Sequence, residues 1–279
     1  MPEGVRWWPR AAVPACDRGW HYGDGLFETL AVCQGRPRLW EWHWERLALG
    51  CDRLGLPLPD RPRLERRLEA LCHGQARAVL KLVWTAGCGG RGYGRGRDLV
   101  PRLRLALHPW PERLERASGQ GLRVCLCRHR LPLHPPLAGI KHLNRLDQVL
   151  ARREWDDPDI DEGLLADHED QLVEATAANL FVVRAGGLLT PRLDRAGVAG
   201  VMRRLVLERL APALGIQAAE VRLPLADLAS AEGLFLTSSL LGIRPVAGIR
   251  ELPAWSPGQN ALSVISRLQD LLHEVLEDA

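Results

Sequence analysis

Short apolar runs of strand length, each closed by glycine, proline or a polar turn, recur along this 279-residue chain and confine it to folds that mix α and β. AVLKLVWT (78–85), LRLAL (103–107), GLRVCLCR (121–128), GLLAD (163–167), QLVEA (171–175), ANLFVVRAG (178–186) and GLLTP (187–191) are of this kind. Between them lie a few segments of helical period. Trp40, Trp44, Leu47, Cys51 and Leu54 predict an amphipathic helix over 41–55, ended by Gly55 and Pro57. Leu64, Leu68 and Leu71 predict a second over 62–73, and Ile265, Leu268, Leu272 and Val275 a last one over 260–276. Residues 15–39 read as strand, turn, strand around Gly23-Asp24-Gly25. A further helix is expected from near His142, with Leu143, Leu146 and Leu150 inward, and another after Gly197-Val198-Ala199-Gly200, running to about 213.

The Pro-, Ser- and Gly-bearing connector at 108–121 divides the pattern. The expected organisation is a smaller α+β domain over 1–114, a linker at 115–121 and a larger domain over 122–279 with a mixed, barrel-like sheet. Hydrophobic residues make up 46% and charged residues 25%, enough for a real core and too balanced for disorder. No run approaches the ~20 apolar residues of a membrane span. The N-terminus MPEGVRWWPR lacks the charged head and apolar core of a secretion signal, so a cytoplasmic protein is expected. Acidic residues interleave the arginines throughout and the tryptophans fall at core spacing, which argues against a nucleic-acid partner. The net charge of +3 suits an anionic small molecule.

Cysteine usage points the same way. Seven cysteines show neither CxxC pairs nor zinc spacing, so no metal site is expected. The predicted state is reduced and partly buried, with Cys125 and Cys127 on one strand face.

Lysine is the scarce residue. Of 37 basic residues 35 are arginine, leaving Lys81 and Lys141. A guanidinium cannot act as a neutral amine nucleophile, whereas a lysine can. Lys141 follows Ala138, Gly139 and Ile140 at the expected helix start, where the helix dipole disfavours its charged form. Lys81 lies within an apolar strand and is the second choice. Gly197–Gly200 before a helix offers backbone N–H groups to an anion, and Thr237-Ser238-Ser239 offers hydroxyls at a strand end. Arg46 lies beside the apolar stripe of its helix, placed either to reach a phosphate or to be solvated. Glu174, between apolar stretches, is either a paired structural acid or a functional one.

Several stretches, in order along the chain, carry a resemblance: RGWHYGDGLFETLAV, EWHWERLALGCDRLGL, GGRGYGRG, HPPLAGIKHLNRLDQVLARRE, EATAANLFVV, LLTPRLDRAGVAGVMRRLV and TSSLLGIRPV. The sequence resembles the class IV pyridoxal-phosphate-dependent aminotransferase superfamily. GIKHLNRLDQVLAR and TPRLDRAGVAGVMR resemble its lyase branch, the 4-amino-4-deoxychorismate lyases. The resemblance implies a two-domain, α+β and α/β, D-amino-acid aminotransferase-like fold (fold type IV), pyridoxal 5'-phosphate as cofactor, and a homodimer. It implies that Lys141 carries the cofactor, that Glu174 pairs with the pyridine nitrogen, and that Arg46, the N–H groups of Val201 and Met202, and Ser239 hold the phosphate. Met202 departs from the branched-chain enzymes, which have Thr there, and position 239 varies between branches. The implied reaction converts 4-amino-4-deoxychorismate to 4-aminobenzoate and pyruvate, with Lys141 as general base. Arg91, Arg95 and Arg97 are then candidates for the substrate carboxylates, with a solvated basic loop as the equal alternative. Two other readings stay open: transamination of a D- or branched-chain amino acid on the same scaffold, and a catalytically silent binding protein.

Overall fold

The computed structural model describes residues 13–89, 92–96, 99–112 and 121–277. They form two compact units. The first holds the chain up to Pro111 together with Ile140–Asn144, and the second holds Glu112–Gly139 and Arg145–Ala279. The division thus falls just before the expected linker, and the short return at 140–144 was not legible in the sequence. Its cause is backbone pairing, described below.

In the first unit a four-stranded antiparallel sheet has the order β2-β1-β3-β4, from β1 (Gly25–Cys33), β2 (Arg36–Pro37), β3 (Arg77–Cys88) and β4 (Val100–His108). Strand alternation sends Leu26, Leu30, Leu80 and Leu82 to one face, where all are buried. Buried with them are Leu47 and Cys51 of α2 (Trp40–Leu54), and Leu64, Leu68 and Cys72 of α3 (Arg61–Cys72). A Cβ on Gly50 would lie 2.8 Å from the Leu26 side chain, so helix and sheet pack at glycine distance there. The stretch before β1, expected as a strand, is instead a short helix, α1 (Arg18–Tyr22). Asp17 caps it by accepting from the Gly19 N–H at 2.8 Å, and Gly23 ends it at φ +63°.

The cysteine expectation needs correcting in the same place. Cys16 and Cys88 form a disulfide, while Cys33, Cys51, Cys72, Cys125 and Cys127 are free thiols. The two partners are 72 residues apart in sequence and meet because Asp17 bridges to the end of β3, a pairing that no spacing motif could reveal. Burial pushes the Cys51 thiol up to about 12 and the Cys72 thiol to about 11, so both behave as apolar core groups.

The second unit is built on an eight-stranded mixed sheet of order β10-β9-β8-β11-β12-β5-β6-β7. Its strands are β5 (Leu122–Leu131), β6 (Glu162–Asp167), β7 (Leu172–Ala175), β8 (Asn179–Arg184), β9 (Gly187–Pro191), β10 (Ala218–Val221), β11 (Gly233–Ser238) and β12 (Gly242–Ile249). β5 runs parallel to both neighbours, β6 and β12, and most other pairs are antiparallel. β6, β7, β8 and β11 are buried on both faces, which is why their sequences read as continuous apolar runs without alternation. Phe181 and Phe235 stack at 4.9 Å inside this core. The helices are α4 (Leu146–Arg152), α5 (Val201–Leu205) and α6 (Gln259–Glu277). α5 continues through a widened π turn, Val206–Leu210, into Ala211–Ala213, where Pro212 has no N–H to give. Among the described residues no helix is long and apolar enough to cross a membrane.

α4 starts later than its sequence pattern suggests. Lys141–Leu143 are extended, and the helix begins at Leu146. Leu146 (75% exposed), Val149 and Leu150 face solvent rather than the core, so the expected inner face is an outer one. With the helix starting at Leu146, Lys141 lies outside its first turn and its dipole does not act on the amine as expected.

Candidate active site

Lys141 is placed by the edge of β1. Phe27 donates its N–H to the Lys141 carbonyl at 3.0 Å, and Leu143 donates to the Gly25 carbonyl at 3.0 Å. These bonds extend the sheet beyond β2, which covers the same edge only at Val32 and Cys33. The turn before β1 is glycine for steric reasons. A Cβ on Gly23 would meet the Asn144 side chain at 2.5 Å, and one on Gly25 would meet the Trp84 carbonyl at 2.4 Å. The result holds the Lys141 amine 4.4 Å from the centre of the Phe27 ring.

Beneath the sheet, on the opposite side of β1 from Phe27, three polar side chains form a buried cluster. Glu28 is 1% exposed and His43 is 0% exposed. Glu28 accepts from Arg46 Nε at 2.9 Å and from Arg46 Nη2, and His43 Nδ1 donates to it at 2.6 Å. His43 and Arg46 stand three apart on α2, so one helix face presents both to one carboxylate. Burial alone would raise the Glu28 carboxyl, but the Arg46 guanidinium and the His43 bond hold it at about 2. Burial pushes the His43 imidazole down, against the pull of Glu28, with the charges of Arg46 and Lys141 adding to it. Arg46 is therefore no solvated surface residue. Sequence reasoning missed Glu28 and His43. An acid at an inward strand position, and a histidine three before an arginine, are the signals that could have found them.

In the second unit Glu174 lies on β7 and is 4% exposed. It accepts from the Val198 N–H at 2.8 Å and from Gln148 Nε2 at 3.1 Å. Arg145 lies near enough to feel its charge, though burial is the larger influence and draws the Arg145 guanidinium down. The glycine loop is fixed around the same carboxylate. Gly197 has φ +83°, and a Cβ there would meet Val173 at 2.7 Å and Glu174 Oε2 at 3.2 Å. Asn179 Nδ2 donates to the Val198 carbonyl at 2.8 Å, and Gly139 exchanges backbone bonds of 2.9 Å with Gly197 and Ala199. Gly200 caps α5 and has no side chain to offer. Among the described residues no acceptor pairs with the N–H groups of Val201 and Met202, while their side chains are buried. Ser239 lies in the turn after β11, next to Ser238, which accepts from the Leu241 N–H at 3.1 Å. Thr237 Oγ1, just before that turn, is buried without a hydrogen-bond partner.

The described part of the arginine loop is pinned rather than flexible. Arg95 binds Asp24 through Nε (3.0 Å) and Nη2, and gives Nη1 to the Leu54 and Gly55 carbonyls. Arg18, 4% exposed, binds Asp24 at 2.8 Å and grips the carbonyls of Gly92, Tyr93 and Gly94. These bonds commit the Arg95 guanidinium to holding the fold. Arg91 and Arg97 lie outside the described residues. Among the described residues no group of three or more His, Cys, Asp or Glu side chains could hold a metal ion.

Comparison with family models matches residues 25–249 to the family described as amino-transferase class IV. The chain belongs to that family. The class IV members that it resembles include an aminodeoxychorismate lyase of Vibrio harveyi, 36% identical over 86% of this chain and 89% of the relative. Among solved structures, 4-amino-4-deoxychorismate lyase from Pseudomonas aeruginosa matches with a TM-score of 0.89 at 44% identity, covering 98% of this chain and 99% of that one. Branched-chain amino acid aminotransferase from Escherichia coli has the same class IV fold, with a TM-score of 0.81 at 22% identity over 96% and 91% of the two chains.

Proposed function

We propose that this chain is a pyridoxal-phosphate-dependent lyase that converts 4-amino-4-deoxychorismate to 4-aminobenzoate and pyruvate. The observation that carries this reading is the end-to-end likeness to the P. aeruginosa lyase at 44% identity, with the V. harveyi lyase at 36%.

The residues present suit the cofactor. Two N–H groups at a helix start, a glycine loop with no room for a Cβ and a buried carboxylate beside it match a phosphate and a protonated ring nitrogen. In this reading the N–H groups of Val201 and Met202, Ser239 and Arg46 hold the phosphate. Glu28 and His43 fix the Arg46 guanidinium, and Glu174 pairs with the pyridine nitrogen. The bound cofactor supplies an electron sink for the carbon that bears the substrate amine. Lys141 would hold the cofactor, and its ε-nitrogen, when free, would take the proton from the carbon that bears the substrate amine. It then delivers a proton to the departing enolpyruvyl group. The ring-to-oxygen bond breaks, pyruvate leaves and the carbocycle becomes aromatic, so no external oxidant or reductant is needed.

The reading extends to a cytoplasmic homodimer. The outward Leu146, Val149 and Leu150 of α4 form an apolar stripe at helical spacing that a second copy would cover.

The test is to load the purified protein with pyridoxal phosphate and supply aminodeoxychorismate. Equimolar fluorescent 4-aminobenzoate and pyruvate are expected. Amino transfer from D-alanine or a branched-chain amino acid to 2-oxoglutarate, without pyruvate release from aminodeoxychorismate, would favour the aminotransferase instead.

A further inference from the structure

Three threonines are buried among the described residues, and two of them are satisfied within the protein. Thr85 Oγ1 donates to Asp17 at 3.1 Å, and Thr190 Oγ1 donates to the Leu180 carbonyl at 2.8 Å. The third is Thr237 on β11, 1% exposed, and its Oγ1 has no hydrogen-bond partner among the described residues. A buried hydroxyl left unpaired costs stability. Valine has nearly the same shape, suits a strand as well and carries no such cost. It would also continue the strand, since Leu234, Phe235 and Leu236 before it are apolar and fully buried. The hydroxyl is thus kept at the expense of the chain alone.

The register of the sheet places it. Thr237 stands opposite Asn179 of β8, so the two side chains share one sheet face. Asn179 reaches the glycine turn: its Nδ2 donates to the Val198 carbonyl at 2.8 Å, and its Oδ1 leaves no room for a Cβ on Gly200. That turn opens α5, where the N–H groups of Val201 and Met202 have no acceptor among the described residues. On its other side Thr237 faces Ile243, which is 3% exposed and has no polar side-chain atom to offer. All of these residues belong to the second unit. Backbone N–H groups can only donate, and a hydroxyl can donate beside them, so the oxygens of one anion satisfy all three. Resting on the placement of the cofactor phosphate proposed above, we propose that Thr237 is a further phosphate ligand, its Oγ1 donating to a phosphate oxygen beside the N–H groups of Val201 and Met202. The chain then gives up stability at this strand end when free of cofactor and recovers it on binding.

The experiment uses the full chain, free of cofactor and loaded, as wild type, Thr237→Val, Thr237→Ser and Gly200→Ala. It measures dissociation constants for pyridoxal phosphate and for pyridoxal by visible absorbance, and the thermal midpoint with and without cofactor. Thr237→Val is expected to bind pyridoxal phosphate about tenfold more weakly, or worse, and pyridoxal as the wild type does. Free of cofactor it should melt no lower than the wild type, and its midpoint should rise less on loading. Thr237→Ser, which keeps the hydroxyl, should stay within about threefold of the wild-type affinity. Gly200→Ala, which crowds Asn179, should also lose affinity for pyridoxal phosphate. An unchanged affinity in Thr237→Val beside a weakened Gly200→Ala leaves the phosphate placement standing and overturns the role of Thr237. Equal losses toward pyridoxal phosphate and pyridoxal would overturn it too, by moving the hydroxyl to the ring. So would a cofactor-free Thr237→Val that melts several degrees below the wild type, because the hydroxyl then has a partner within the protein. Wild-type affinity in both Thr237→Val and Gly200→Ala puts the phosphate elsewhere, and the placement falls together with the proposal.

Discussion

Two buried carboxylates, one in each unit, are held in opposite ways. Glu28 is clamped by ionic partners: Arg46 donates to both its oxygens and His43 to one of them. Glu174 is held by the dipoles of a backbone N–H and a side-chain amide, with the Arg145 charge nearby. A carboxylate neutralised by a bidentate guanidinium fixes that guanidinium in place. A carboxylate oriented by neutral donors keeps its charge to act on something else. On the function proposed above, the contrast suits Glu28 to positioning and Glu174 to chemistry, and it can be broken by exchanging the outcome of equivalent substitutions.

The largest effect is expected from Glu174→Gln, which keeps the shape but removes the charge. Steady-state rates should fall on the order of a thousandfold, with little change in the thermal midpoint. A wild-type rate would show that the charge on Glu174 is not used. Glu28→Gln should do the reverse in kind, leaving Arg46 buried without its counterion. Urea unfolding should show a loss of about 3 kcal/mol, and cofactor affinity should drop as Arg46 loses its anchor. An undisturbed unfolding midpoint would dissolve the positioning role.

The pH dependence sharpens the same point. Glu28 has its carboxyl depressed from 4.5 to about 2, so its stabilising contribution is complete above pH 4.5 and disappears as pH falls toward 2. A shift of that size corresponds to something on the order of 3 kcal/mol. His43 works in the same direction. Its imidazole is depressed below 6.5, so the unfolded chain takes up the proton first and stability declines as pH drops below that value. Denaturation followed between pH 7 and 3 should show a steep acid limb in the wild type and a shallower one in Glu28→Gln. Equal limbs would place the acid sensitivity elsewhere. The smallest effect is expected at Arg95, whose side chain is 27% exposed. Arg95→Ala should cost about 1 kcal/mol or less and leave KM near the wild-type value. A strongly raised KM would return Arg95 to the substrate.

Much of the fold was legible because burial on one or both faces writes itself into the sequence. α2, α3, α6 and the apolar strands stand close to where periodicity puts them. What periodicity could not show are the features made by distant partners. The extended course of Lys141–Leu143 depends on β1, more than a hundred residues earlier, and it displaced the start of α4. The Cys16–Cys88 disulfide depends on the far end of β3. Lys141 and Glu174 stood out in the sequence through scarcity and context. The Glu28–His43–Arg46 cluster did not, because each member alone is ordinary and only the fold makes them one group.

The central claim is a covalent one, and borohydride tests it directly. The cofactor-loaded protein is reduced, digested and mapped by mass spectrometry. The account predicts a single pyridoxyl-phosphate adduct on the peptide containing Lys141. An adduct on Lys81, or none on a protein that carries the visible colour of the cofactor, would contradict it.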